Sequence, residues 1–201
     1  MKIIEQSWGW VQKPVAPLEI IEKAGRTCYK SEARITPGSS VNFVKNILNL
    51  QHESVLEHVV ASVRFITNRG VTHELVRHRL CSFCHESTRY VKYGNDMEFI
   101  KPVWWNDEYS EERRQIWIAA MEQSEKFYND ALKLGDKPEQ AREVLPHSLK
   151  TEIVVTANLR EWRHVFKLRC ALNAHPQIRE LMRNCLQGFK LEIPVVFDDL
   201  I

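Results

Sequence analysis

No apolar run in the sequence approaches the ~20 residues that cross a bilayer, and its first residues, MKIIEQSWGWVQKP, hold neither a continuous apolar stretch nor a small-residue cleavage site. Neither a membrane span nor a secretory signal is expected, which places the chain in the cytoplasm. Cysteine is scarce and odd in number, five without regular spacing, so a disulfide framework is not expected and the thiols suit a reducing compartment. Repeats, low-complexity tracts and Pro/Gly/Ser linkers are missing, and the seven glycines are scattered. One domain over residues 1–201 follows as the expectation. An excess of charge is missing too: 28 basic against 26 acidic residues give +2, too little to offer a global field to a nucleic-acid polymer. Any anionic partner must be met locally.

What is present is ordinary globular composition, 44% hydrophobic and 27% charged. After a loop-like start containing Pro14 and Pro17, residues 18–24 and 41–50 read as short helices, and 52–58 as a connection. Residues 59–67, rich in β-branched and aromatic side chains, read as a strand. Residues 71–80 read as a helix with Val71, Leu75, Val76 and Leu80 on one half and Glu74, Arg77 and His78 on the other. Arg79 falls on the apolar arc, where a guanidinium must either end the helix or reach an enclosed anion. Residues 87–93 and 97–103 look extended. A long helix is expected over 107–134 with Ile116, Ala120, Phe127, Ala131 and Leu134 as its apolar face, closed by Gly135. A short helix opening at Pro138, a strand over 149–156 and helices over 159–168 and 176–189 complete the reading. The class is α+β, a helix-rich single domain with a small central, mainly antiparallel sheet.

The densest polar cluster is RHRLCSFCHESTRY, Arg77 to Tyr90, with three arginines, two histidines, two serines and a carboxylate in fourteen residues. Guanidinium forks match phosphate and imide edges, and serine hydroxyls both donate and accept, so the segment suits a nucleotide ligand. A surface ion-pair network is the bland alternative. Inside it, Cys81 to His85 spells C-x-x-C-H, the pattern of haem attachment. That chemistry implies export, which the N-terminal residues do not support. A zinc site using Cys81, Cys84, His52 and His58 lacks a second pair at zinc-like spacing. The segment HESVLEH, His52 to His58, has Leu56 where a zincin helix needs histidine. A third basic cluster, NLREWRHVFKLR, puts Arg160 and His164 one turn apart on one face and Arg169 near the helix end; cations there are also common partners of the helix dipole.

Taken together these segments resemble the flavin-dependent thymidylate synthases, whose signature R-H-R-x-x-S-x(4)-S-x-R is met by Arg77, His78, Arg79, Ser82, Ser87 and Arg89. The resemblance runs in family order through residues 24–29, 52–58, the signature, 141–146 and 158–169. It implies methylation of dUMP to dTMP with FAD, NADPH and methylenetetrahydrofolate, in a homotetramer whose sites lie at subunit interfaces, without a nucleic-acid or membrane partner or a metal. Carried over by position, it implies that Ser54, Arg77, His78, Arg79, His85, Asn158, Arg160 and His164 meet FAD. Glu74, Arg77, Glu86, Ser87, Arg89, Arg142 and Arg169 would meet the nucleotide, with Arg169 as the catalytic group that polarises uracil. The chain departs from the commonest family pattern at Glu74, Cys84, His85, His164 and Asn173, positions that bear on the flavin.

Ser87 reads as a nucleotide contact and not as a nucleophile: on an extended segment it shares a face with His85 and Arg89, about 6–7 Å apart at Cα. A nucleotide- or RNA-binding module without catalysis, and a flavoprotein oxidase, are the rival readings.

Overall fold

In the computed structural model, which describes residues 1–106 and 108–201, the chain is helix-rich α+β, as the sequence implies. In chain order it forms β1 (Lys2–Ile4), β2 (Ser7–Gln12), α1 (Pro17–Tyr29), α2 (Ser39–Asn49), a 3-10 segment (Glu53–His58), β3 (Val60–Asn68) and α3 (Arg69–Leu75). There follow β4 (Ser82–His85), β5 (Glu98–Ile100), α4 (Glu111–Lys133), the single turn α5 (Pro138–Ala141), β6 (Lys150–Asn158), α6 (Leu159–Arg169) and α7 (Pro176–Glu192). β2, β3, β6 and β4, in that order, make a small antiparallel sheet. β1 pairs with β5 in parallel, Ile3 opposite Phe99. Among the described residues no helix is long and apolar enough to cross a membrane.

β3 and β6 each end in an asparagine that starts the next helix. Asn68 Oδ1 accepts from the Val71 N–H at 2.9 Å, and Asn158 Oδ1 accepts from the Glu161 N–H at 2.9 Å. Each side chain satisfies one of the donors that a helix start leaves unpaired. A buried strand therefore delivers a helix start at a fixed point, and in α6 that helix carries three of the expected site residues.

Two compact units are each assembled from separated chain segments. One comprises Met1–Ser7, Phe65–Arg77 and Cys84–Val154. Its core gathers Met97, Phe99, Met121, Tyr128 and Leu149. The other comprises Trp8–Arg64, His78–Phe83 and Val155–Ile201. Its core is aromatic: Phe166 stacks on Trp162 with centroids 5.6 Å apart, Phe189 and Phe197 pack edge-on at 5.2 Å, and Trp10 lies 4.5 Å from Phe189. Gly188 lets Trp8 approach so closely that a Cβ there would stand 2.1 Å from the indole.

Several expectations are corrected. The N-terminal stretch is not loop-like; it forms β1 and β2, and β2 carries an alternation, with Trp8 and Trp10 half-buried between exposed neighbours, of the kind that marks a strand. The helix expected over 71–80 stops at Leu75; Val71 and Leu75 are buried as expected, but past the helix end Leu80 is 80% exposed while His78 is buried among partners described below. Residues 87–93 are not extended. The N–H groups of Tyr90 and Val91 both donate to the Ser87 carbonyl, which closes a turn. The long helix begins at Glu111, after Asp107, which lies outside the described residues. Its buried side chains are Met121, Ser124 and Tyr128, whereas Ile116, Phe127 and Leu134 of the expected core face are 71%, 51% and 89% exposed.

Candidate functional site

α6 is locked on several sides. The Leu159 N–H donates to the Val59 carbonyl at 2.9 Å, and the Trp162 indole N–H to the Ala61 carbonyl at 3.1 Å. The buried Arg163 reaches Glu53 at 3.2 Å and forks onto both oxygens of Asp199 at 2.6 and 2.7 Å. The exposed side chains of α6 are therefore held in a fixed frame.

A cleft of about 620 Å³ opens at the start of this helix, with Asn158, Arg160, His164 and Lys167 on one side and Glu53 and Glu57 among its other lining residues. Arg160 is paired with Glu57 at 2.5 Å, and Lys167 faces Glu53 at 3.7 Å. Carboxylates thus occupy the positions that an anionic ligand of these cations would take. The N-terminus of an eleven-residue helix adds a partial positive charge.

Beside the cleft, His78 and Arg169 meet. Arg169 Nε donates to His78 Nε2 at 2.9 Å. The other ring nitrogen, Nδ1, stands 3.7 Å from Glu161 Oε1, and the Cys81 thiol donates to the same oxygen at 3.9 Å. The His164 ring stands edge-on to His78 at 5.8 Å. Burial, with Arg169 and His164 adding to it, lowers the His78 pKa to about 4, and burial with the Glu161 carboxylate pushes Cys81 up to about 12. Imidazole and thiol are both neutral near pH 7.

Potential ligand atoms of His78, Glu161 and His164 lie within 4.8 Å of one another, which raises the question of a metal. Proton placement answers it. A guanidinium can only donate, so His78 Nε2 carries the lone pair and Nδ1 the proton. The ring therefore turns an N–H toward Glu161, an electrostatic contact at 3.7 Å, and Nδ1 so protonated has no lone pair to give an ion.

A second group lies wholly within the other unit. Arg142 Nη1 donates to Thr88 Oγ1 at 3.3 Å, and Arg89 Nε donates to Glu139 at 2.8 Å. The Glu86 carboxylate accepts from the Tyr93 hydroxyl at 2.6 Å and from Lys150 at 3.3 Å. Burial, then hydrogen bonding to Glu86, raises the Tyr93 pKa. His85 Nε2 and Thr151 Oγ1 are 3.1 Å apart, and burial, followed by Arg69, lowers the His85 pKa. Ser87 Oγ accepts from the Arg89 N–H at 3.3 Å, a local turn contact. Among the described residues, no base is hydrogen-bonded to that hydroxyl.

The structure thus brings Asn158, Arg160 and His164 to one cleft and sets Arg169 against His78. Glu86, Ser87, Arg89, Arg142 and His85 belong to the second group. Arg77 and Arg79 are exposed and make no side-chain hydrogen bond or ion pair among the described residues. Ser54 is exposed on the 3-10 segment between Glu53 and Glu57, and Glu74 is half-buried. Sequence reasoning missed Glu57, Glu161, Lys167, Thr88, Tyr93 and Lys150. Only Glu161 had a local signal, standing at the third position after a helix-capping asparagine.

A family model described as "Thymidylate synthase complementing protein", Thy1, matches residues 11–195. The chain is 38% identical over 200 residues to the flavin-dependent thymidylate synthase of Mycobacterium avium, covering 90% of this chain and 78% of that protein. It is 34% identical over 199 residues to that of Corynebacterium glutamicum, with the same coverage of both. Among solved structures, the UMP/dUMP methylase PolB from Streptomyces cacaoi bound with 5-Br dUMP matches with a TM-score of 0.83 at 24% identity, over 98% of this chain and 96% of that one. The last is a likeness in fold.

Proposed function

The chain belongs to the Thy1 family, that of the flavin-dependent thymidylate synthases, and we propose that it methylates dUMP to dTMP, with methylenetetrahydrofolate as carbon donor and NADPH as reductant through FAD. The observation that carries the reading is the meeting of His78 with Arg169 beside a cleft lined by Asn158, Arg160 and His164. Segments 91 positions apart, one from the signature and one from α6, are joined by a hydrogen bond.

The cleft fits a flavin dinucleotide: a helix start and two cations, Arg160 and Lys167, suit a diphosphate, and the carboxylates that now hold those cations mark where anionic oxygens are welcome. When bound, FAD supplies the hydride chemistry. This chain's residues bind, orient and set charge. Asn158, Arg160, His164 and the signature residues Arg77, His78 and Arg79 hold the cofactor, with Ser54 and His85 completing its contacts. Ser87, Arg89 and Arg142 hold the nucleotide phosphate side, with Glu74 and Glu86 at its polar edges. Arg169 stands at the pyrimidine. A guanidinium there stabilises charge developing on the ring without giving up a proton.

One catalytic domain in the cytoplasm, assembled as a homotetramer with shared sites, completes the reading. The outward stripe Ile116, Phe127 and Leu134 on α4 supports subunit contact, and five free cysteines support a reducing compartment. The test is product formation. Purified protein with dUMP, methylenetetrahydrofolate, NADPH and FAD is expected to yield thymidylate, and omission of FAD or of the folate is expected to abolish it. Thymidylate formed equally well without flavin contradicts the reading.

A further inference from the structure

His78 and Arg169 are joined by a hydrogen bond whose direction is forced. Every guanidinium nitrogen donates, so the 2.9 Å contact requires an unprotonated Nε2 on His78. The ring proton then sits on Nδ1, which faces the buried Glu161 carboxylate at 3.7 Å, an electrostatic contact that favours this tautomer. Glu161 is itself fixed: the Asn158 side chain caps its backbone N–H, and the Cys81 thiol donates to its carboxylate. Burial keeps the imidazole neutral at physiological pH, so the accepting lone pair is maintained. His78 and Glu161 are 5% and 6% exposed, too enclosed for either to swing away.

We propose that His78 is a positioning residue for Arg169: with its tautomer set by Glu161, it fixes the guanidinium plane, and so the direction in which the remaining N–H groups are presented to the pyrimidine. This rests on the reading that Arg169 meets the nucleotide. In a planar fork, anchoring Nε–H constrains the orientation of both Nη groups, whatever else they touch. An arginine held in this way pays less of the ordering cost when substrate arrives. The chain Asn158, Glu161, His78, Arg169 then links the cap of α6 to its last turn, and it gives the signature histidine a role toward the nucleotide in addition to any contact with flavin.

The test uses full-length, flavin-loaded protein and reads kcat and KM for dUMP together with dUMP affinity by calorimetry. His78→Leu is expected to lower kcat/KM about 10²-fold, the scale of a misplaced reacting group. His78→Gln, whose Oε1 can accept from Arg169, is expected to stay within about threefold to tenfold of the parent, the worth of one altered hydrogen bond. In an Arg169→Ala background His78→Leu is expected to cost no further dUMP affinity. Equal losses in the Leu and Gln variants, or additive losses in the double variant, overturn the positioning role while leaving Arg169 assigned. Full turnover in Arg169→Ala alone overturns the assignment of Arg169, and this proposal with it. If His78→Leu fails to hold flavin, the wild-type tautomer decides. Nitrogen-15 spectra of histidine-labelled protein, with His78 identified by its loss in His78→Gln, are expected to show the proton on Nδ1, and a proton on Nε2 overturns the proposal.

Discussion

Arg160 and Glu57 form a 2.5 Å ion pair at the flavin-type cleft, with both side chains about half exposed. The guanidinium proposed for the cofactor is therefore already engaged, and on that reading an incoming diphosphate would exchange with Glu57. An exposed pair of this kind is weak, so the exchange costs little. Glu57→Gln is expected to tighten FAD binding about twofold to fivefold, and Arg160→Ala to weaken it, measured by flavin fluorescence. Weaker binding in Glu57→Gln would show that the carboxylate orients Arg160 instead of competing for it.

Ser87 sits in a turn with its hydroxyl accepting from the Arg89 N–H, and among the described residues no base is hydrogen-bonded to it. Ser87→Ala is expected to raise the KM for dUMP by the equivalent of about 0.5–1.5 kcal/mol, one hydrogen bond, with thymidylate still formed at saturating nucleotide. A covalent Ser87–uridylate adduct seen by mass spectrometry would reinstate the serine as a nucleophile.

With Nε2 accepting from Arg169, His78 is expected to turn the protonated Nδ1, which has no lone pair to give an ion, toward Glu161. Elemental analysis is expected to find no stoichiometric zinc or iron, and prolonged dialysis against a chelator is expected to leave flavin affinity unchanged. One zinc per chain, lost together with flavin binding, would show that His78, Glu161 and His164 coordinate it.

Arg163 is buried and forks onto Asp199, whose carboxyl is held below its ordinary 3.8, first by the hydrogen bond from Arg163, against burial, which acts the other way. A depressed carboxyl pKa stabilises the fold above the ordinary value and loses that contribution as pH falls through the folded-state value. Asp199→Asn is expected to cost about 1–2 kcal/mol at pH 7, less than an orphaned buried charge because Glu53 and the Val196 carbonyl still accept from Arg163 and the Asp199 side chain is half exposed. Urea unfolding is expected to show the gap between variant and parent closing below about pH 4. A gap that does not begin to narrow as pH falls below 3.8 would mean that the pair does not titrate as described.

Strong local patterns carried the fold. The β-branched run at Val60–Asn68 and the basic amphipathic helix at Leu159–Arg169 appear within a residue or two of where periodicity puts them, because burial on one side selects a single period. α4 shows where the pattern is ambiguous. Ile116, Ala120, Phe127 and Leu134 form one stripe and Trp117, Met121, Ser124 and Tyr128 another, and the fold buries the second. Ser124 is buried because its hydroxyl donates to the Val144 carbonyl at 2.7 Å, and Tyr128 because its hydroxyl accepts from the Tyr93 N–H at 3.2 Å. A wheel ranks hydrophobicity, whereas long-range hydrogen bonds decided the face.

The site was legible as a list of residues but not as an arrangement. Spacing on α6 placed Arg160 and His164 on one face, and both line the cleft. The pairing of His78 with Arg169 spans 91 positions, and a helix extended through residue 80 would have turned that imidazole toward solvent. Chain reversal after Leu75 reverses this, burying His78 and exposing Leu80. The turn at Ser87 likewise depends on backbone bonds that composition does not encode.

On the proposed reading Arg169 acts on the pyrimidine and does not hold the flavin. Thymidylate formation and flavin content measured side by side in parent and Arg169→Ala test it most directly. The expected result is a flavin spectrum and FAD affinity within about twofold of the parent, with thymidylate formation lower by ~10²–10³, the scale of removing one preorganised donor at a developing charge. Near-parental thymidylate formation in a folded, flavin-loaded Arg169→Ala protein would contradict the account.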